Sequence, residues 1–134
     1  MDNLSLLLQG IIQKYMGLVE NKLRITKQRA YPQAVIRSGS WINERIIIAY
    51  TSFFPNGDNS EESIDFMFQL TVSEATIEFQ ADISRSNGEL LFDVTSNVFT
   101  FTTAEELLAR VENQSIKASE ILSSRLNKID SWLK

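Results

Sequence analysis

The chain has 134 residues, a formal net charge of −4, and neither cysteine nor histidine. The missing cysteines exclude disulfides and thiolate metal sites, and the missing histidines remove the commonest general base of enzymes. A hydrophobic content of 43% fits one globular domain over residues 1–134, and a pI near 4.8 argues against nucleic acid as the main ligand.

The first predicted element is an amphipathic helix over residues 3–25. Its apolar residues recur at intervals of three and four, which places them on one stripe of a helix; they are Leu4, Leu7, Leu8, Ile11, Ile12, Tyr15, Leu18, Val19 and Leu23. Tyr31-Pro32 ends the helical pattern, because the residue before a proline is disfavoured in the α region.

Two strands are predicted next, near residues 33–38 and 41–52. We expect Ser38-Gly39-Ser40 to join them, since all three residues favour turns. The β-branched run Ile46–Ile48 indicates a strand that is buried on both faces or interrupted by a bulge. Residues 55–60 are dense in turn formers and predict a loop.

Three segments then alternate between apolar and polar residues, as half-buried strands do: 63–72, 75–84 and 89–98. Asn87-Gly88 predicts a two-residue type I′ hairpin between the last two. Ser73-Glu74 predicts another two-residue turn between the first two.

A long helix is predicted from about residue 104 to the C-terminus. Thr102 and Thr103 stand three residues before Glu105 and Glu106, which gives two candidate capping boxes for its start. The apolar stripe thins at residues 112–115, where we expect a kink. Because such a helix would be longer than the sheet, we expect its end to project toward a partner and to allow a homodimer through the C-terminal helix. The predicted fold class is therefore α+β, with about five antiparallel strands in one sheet and both helices packed on one face.

The acidic residues are concentrated in the strands. Residues 51–106 hold eleven acids and one base, Arg85, so this stretch carries −10, whereas residues 1–50 carry +4 and residues 107–134 carry +2. Because the acidic stretch is also the alternating one, we expect its carboxylates to share one sheet face.

The two predicted hairpins fix which residues face one another. They place Asp65, Asp82 and Asp93 in one row on the polar sheet face, where directly opposed like charges destabilise a sheet. Local conflicts of this kind mark functional sites, although a solvated acidic surface is the alternative explanation. The candidate partner-binding residues on this face are Asp65, Met67, Glu78, Gln80, Asp82 and Asp93.

Three uses of such a face compete. The first is docking onto a basic protein, which complementary charge would steer and select. The second is a site for a hard cation such as Ca²⁺, for which the loop over residues 56–62 also offers oxygens without matching a known calcium loop. The third is hydrolysis by paired carboxylates, for which an open sheet face offers little cleft. No phosphate-binding, nucleophile-elbow or dinucleotide motif is present, so we expect a non-enzymatic protein without a cofactor.

The acidic strand, Asn-Gly turn and second acidic strand over residues 78–93 resemble immunity proteins of bacterial contact-dependent inhibition and other polymorphic toxin systems. That resemblance implies a protein that neutralises a basic toxin domain. The chain also resembles type III secretion chaperones in size and acidity, although those place a helix within the strand run. With no segment near the 18 apolar residues of a membrane span and no basic leader, we expect a soluble, cytoplasmic protein.

Overall fold

The computed structural model describes residues 3–57 and 61–133, with Thr95 and Ser96 described in their backbone only. The chain forms a helix, five strands and a second helix, followed by a short helical C-terminal segment. In order these are α1 (Asn3–Ala30), β1 (Val35–Asn43), β2 (Ile46–Phe54), β3 (Ile64–Val72), β4 (Thr76–Arg85), β5 (Leu90–Thr100), α2 (Ala104–Ser124), a 3₁₀ turn (Leu126–Lys128) and α3 (Ile129–Trp132). The predicted α+β class and antiparallel sheet are confirmed.

The five strands form one sheet in the order β1-β2-β3-β4-β5, and every neighbouring pair is antiparallel. Both helices lie on the same face of this sheet, with α1 over β1 and β2, α2 over β4, and the two helices in contact with each other. Alternate side chains of each strand therefore point into a core or away from it.

The core lies between the helices and the sheet. Its largest fully buried side chains come from α1 and from β2 to β4: Leu8, Ile12, Leu23, Ile47, Phe53, Ile64, Phe66, Phe68, Leu70, Ile77, Phe79 and Ile83. The Phe68 and Phe79 rings are 5.6 Å apart at an angle of 48°, a favourable offset for aromatic pairs. Ile47 and Ile48 are both buried, on opposite faces of β2, as the β-branched run predicted.

The expected turn at Ser38-Gly39-Ser40 is wrong, because these residues lie inside β1 and the turn is Glu44-Arg45. In a turn, serine hydroxyls hydrogen-bond to the nearby backbone, whereas here the hydroxyls of Ser38 and Ser40 hydrogen-bond to side chains of α1. Ser40 accepts hydrogen bonds from Gln9 and Gln13 at 3.0 and 2.6 Å, and Ser38 donates one to Glu20. The helix thus holds a turn-prone sequence in an extended strand.

Both predicted hairpin turns differ from the observed ones. The β3–β4 loop is Glu74-Ala75, since Ser73 N–H donates to the Thr76 carbonyl at 2.9 Å. The β4–β5 loop has three residues, Ser86 to Gly88, and Gly88 has a φ of 92°. A three-residue loop that ends in a left-handed glycine is the next commonest hairpin after the two-residue types.

The C-terminal segment folds back onto the domain, so the expected projecting end is wrong. α2 ends at Ser124, and Trp132 of α3 is only 9% exposed. The Trp132 carbonyl accepts a hydrogen bond from Arg85, and Asp130 accepts one from Tyr31 at the end of α1. These contacts tie the chain's end to the sheet and to α1.

Residues 112–115, where a kink was expected, lie within the uninterrupted helix α2. Ser115 is buried there, and its hydroxyl donates to the Val111 carbonyl at 2.8 Å, which satisfies the polar group within the helix. No helix of residues 3–57 or 61–133 has the length and apolar character that a membrane span requires.

Candidate protein-binding face

The sheet face turned away from the helices is called the open face below. Its middle row crosses all five strands and contains Gly39, Tyr50, Met67, Asp82 and Asp93. Each residue of the row lies directly opposite the next, so neighbouring side chains are close enough to interact. The row therefore passes from an aromatic side chain to two carboxylates.

Asp82 on β4 and Asp93 on β5 are directly opposed, as predicted. Asp82 is half-buried and Asp93 is exposed. Burial, and secondarily the charge of Asp93, raises the pKa of Asp82. Folding thus holds a carboxylate in a place that disfavours its negative charge.

Asp65 does not join this row, so the predicted row of three aspartates is wrong. Because the β3–β4 loop lies one residue further along the chain than predicted, the partner of every β3 residue shifts by two positions. A shift of two keeps each side chain on its predicted face but changes the row. Asp65 faces Ser84 and Ser52, and it accepts a hydrogen bond from the Ser63 hydroxyl at 2.8 Å.

The same shift moves the other predicted residues. Met67 lies opposite Asp82, and Gln80 lies opposite Gln69. Glu78 lies opposite Thr71 on β3 and Val98 on β5. All six predicted residues are therefore on the open face, although in rows different from those expected.

The predicted site included Met67 but none of the other apolar side chains of the open face. Trp41 on β1 lies opposite Ile48 on β2, and Tyr50 lies in the next row beside Met67. Trp41 is 43% exposed, whereas Ile48 is 8% exposed even though no helix covers that side. The sequence does contain a signal for this arrangement. The polar triplet Asn43-Glu44-Arg45 marks the true turn, and a turn at that position places Trp41 opposite Ile48.

The open face carries both apolar and acidic groups. Its β1–β2 side presents Trp41 and Tyr50, together with Arg37 on the edge strand, and its β4–β5 side presents the carboxylates along with the exposed apolar side chains of Leu90 and Val98. Two basic side chains lie on the helix side of β5: Arg125, the C-cap of α2, sits over Phe92 at 4.3 Å, and Arg110, within α2, sits over Phe99 at 5.6 Å. A ligand that matches the open face would offer a cationic group beside an apolar one.

The described residues line two cavities away from the Asp82–Asp93 pair. One of about 590 Å³ lies between the start of β3, the β4–β5 loop and Leu133, and includes Glu62 and Arg85. The other, about 270 Å³, lies between α1 and β1 beside Glu20 and Ser38. Neither cavity contains the Asp82–Asp93 pair.

Within the described ranges, no group of three or more acidic side chains is placed to hold a metal ion. Part of the loop considered for Ca²⁺, residues 58–60, lies outside those ranges. No family model matches the chain, and a search of the curated proteins finds no match. A function must therefore be argued from the open face itself.

Proposed function

We propose that this chain is a non-enzymatic protein-binding module whose open face docks onto a basic protein, as an immunity protein docks onto a toxin domain. The observation that supports this proposal is the directly opposed pair Asp82 and Asp93, with Asp82 half-buried. Two like charges at this spacing destabilise the sheet that carries them. A bound cation would remove that cost.

An arginine of the partner is the group that fits the pair best. Its planar guanidinium donates five hydrogen bonds and can bridge two carboxylates at once. Placed over Asp82 and Asp93, it would replace mutual repulsion with charge-assisted hydrogen bonds. The binding free energy would then include relief of the repulsion between Asp82 and Asp93 in the folded protein.

Trp41, on the β1–β2 side of the open face, would supply a further contact. Exposed tryptophans are among the commonest anchors of protein interfaces, because they bury a large area with little loss of side-chain freedom. Trp41 lies two strands from Met67 and is part of the same surface. The carboxylates would select a basic partner and Trp41 would hold it.

The chaperone alternative is less well supported. Type III secretion chaperones, as considered above, carry a helix within the strand run. In the described part of the β2–β3 connection, residues 55–57 form a turn and residues 61–63 have no regular structure. The strands follow one another as a simple meander.

The proposal is tested by affinity capture from the native host with three baits. These are the wild type, Asp82→Asn/Asp93→Asn, and a control Glu105→Gln/Glu120→Gln that removes two exposed carboxylates from α2. We expect one basic protein that the wild type and the control retain and the aspartate variant loses. Equal capture by all three baits would contradict docking at the open face.

The toxin assignment needs a second experiment with the captured protein. It is expressed in a susceptible cell with each of the three variants. Growth rescued by the wild type and the control, but not by Asp82→Asn/Asp93→Asn, is the expected result. A captured protein that causes no growth defect would overturn the immunity role and leave protein binding in place.

A further inference from the structure

The two edges of the sheet differ in how open they are to another strand. The β5 edge is irregular, with two register shifts in its pairing to β4. Bulges are a usual device that protects an edge strand. The β1 edge is regular, since all nine of its residues pair with β2 without a shift.

The backbone groups that β1 leaves unpaired can be identified. Val72 N–H donates to the Arg45 carbonyl at 2.8 Å, so Arg45 and every second residue of β2 after it direct their backbone groups toward β3. The intervening residues of β2, from Ile46 onward, direct theirs toward β1. Their partners in β1 are the odd-numbered residues, which leaves the N–H and C=O groups of Ile36, Ser38, Ser40 and Ile42 pointing out of the sheet.

We propose that the β1 edge pairs with β1 of a second copy of this chain, in antiparallel orientation, about a two-fold axis at Gly39. Gly39 is the central residue of Val35–Asn43, so this axis overlaps the two strands over their whole length. It sets Ser38 opposite Ser40 of the second copy, and these are residues whose backbone groups point outward. The two sheets then become one continuous sheet of ten strands.

The side chains match in this register. On the open face, Arg37 lies opposite Trp41 of the second copy, and symmetry repeats the pair, so a cation stands beside an aromatic ring twice. On the helix side, Ile36 lies opposite Ile42 of the second copy, and both are partly buried apolar residues beside the core. Each pairing therefore joins complementary groups.

Repulsion between the two Arg37 side chains is small in this arrangement. The two residues stand four positions apart along the paired strands, about 14 Å. That exceeds the screening distance of about 8 Å at physiological salt. Arg37, the one charged residue of β1, therefore lies next to the aromatic ring of Trp41 of the second copy.

The pairing does not depend on the proposed function, but it has a consequence for it. The β1–β2 sides of the two open faces would adjoin at the centre of the extended sheet, and the two aspartate pairs would lie toward its outer ends. Each copy would keep its aspartate pair open to a partner, whereas its Trp41 would lie beside Arg37 of the second copy. A dimer of this kind would bind two partner molecules.

Sedimentation velocity over total concentrations from about 10 µM to about 1 mM tests the association, because a single strand pair forms a small and weak interface. We expect a reversible dimer that Arg37→Glu weakens at least tenfold. The control is Arg45→Glu, the same charge change at an exposed position in the β1–β2 turn. A monomer at every concentration, or equal weakening by both substitutions, would overturn the proposal.

Amide hydrogen exchange of the wild type distinguishes this interface from any other. The amides of Arg37, Gly39 and Trp41 bond to β2 and are expected to be protected at all concentrations. Those of Ser38, Ser40 and Ile42 are expected to gain protection only as the dimer forms. A dimer in which these three amides still exchange rapidly would contradict β1 pairing and place the contact elsewhere, such as at the exposed Leu18 and Ile25 of α1.

Discussion

The hydroxyl oxygen of Tyr50 lies 2.7 Å from the point that a Cβ atom would occupy at Gly39, and two further atoms of its ring lie within 3.0 Å. Tyr50 therefore crosses the open face of β1 directly over the glycine. A strand glycine normally weakens a sheet, because it has no side chain to pack and loses much conformational freedom on folding. Here its missing side chain is the space that Tyr50 fills.

Gly39→Ala is expected to destabilise the domain by about 1 kcal/mol, because the added methyl group must displace the Tyr50 ring. In a Tyr50→Ala background the same substitution is expected to be neutral or stabilising, since alanine reduces the freedom of the unfolded chain. Urea unfolding of the four proteins in this double-mutant cycle measures the coupling. Equal effects of Gly39→Ala in both backgrounds would contradict the contact.

Asp82→Asn is expected to stabilise the domain at pH 7 by roughly 0.5–1 kcal/mol, the range of an unfavourable cross-strand pair. The matched control is Asp65→Asn, the same substitution on the same face at a residue that faces Ser84 and Ser52. We expect the control to change the free energy of unfolding by much less. Equal gains from the two substitutions would favour the predicted row of three aspartates over the observed register.

The stabilisation by Asp82→Asn is expected to depend on pH. Because the pKa of Asp82 is raised above its ordinary value of 3.8 in the folded state, the folded protein binds a proton over an interval where the unfolded chain has lost it. The wild type therefore loses stability as the pH rises above about 3.8 through that interval. The difference in the free energy of unfolding between variant and wild type should be near zero below this interval and should reach its full value at neutral pH. Urea unfolding from pH 3 to pH 7 measures it.

The clean alternation of residues 63–98 was sufficient to predict β3, β4 and β5 and the face on which each side chain lies. It was insufficient to predict their rows, because hairpins that differ by one loop position leave the faces unchanged and move every partner by two residues. The predicted pairing of Asp82 with Asp93 is nevertheless correct, because two differences from the predicted hairpin cancel each other. The three-residue loop is followed by a register shift between Ile83 and Ser84, which restores the expected partner of Asp82.

The errors outside that region have a different origin. Ser38-Gly39-Ser40 has turn chemistry, and only side chains of α1, far away in sequence, hold it in a strand. The position of Trp41 and Tyr50 on the open face follows from that strand, whose end is marked in the sequence only by the polar triplet Asn43-Glu44-Arg45. The end of the chain likewise turns back because of tertiary contacts to Arg85 and Tyr31.

Tyr31→Phe is expected to destabilise the domain by about 1 kcal/mol, because it removes the hydrogen bond from the Tyr31 hydroxyl to Asp130. The ring contact of residue 31 with Phe53, edge to face at 5.6 Å, should remain. Amide exchange across residues 126–133 should accelerate more than exchange in the sheet. Uniform acceleration over the whole domain would indicate that the hydroxyl does not act through the C-terminal segment.

The contribution of the Tyr31 hydroxyl should vanish at high pH. Burial, the hydrogen bond to Asp130 and the charge of Asp130 raise the pKa of Tyr31 to about 12, from an ordinary value of 10.0. Between those values the unfolded chain ionises while the folded protein stays protonated, so the wild type loses stability as the pH rises. The deficit of Tyr31→Phe should therefore shrink from pH 10 to pH 12, and Asp130→Asn should lower the pH at which Tyr31 ionises in an absorbance titration.

Alanine substitutions at Thr102 and Thr103 distinguish which of the two residues is the N-cap of α2. The Thr103 hydroxyl accepts a hydrogen bond from Glu106 N–H at 3.1 Å, whereas Thr102 reaches the Glu106 carboxylate at 3.5 Å, the outer limit of such a bond. Thr103→Ala is expected to cost about 1 kcal/mol, because it leaves a helix N-terminal amide without its partner. Thr102→Ala should cost less than about 0.5 kcal/mol, as exposed surface substitutions do. If urea unfolding ranked the two variants in the opposite order, α2 would begin one residue earlier and Thr102 would be its cap.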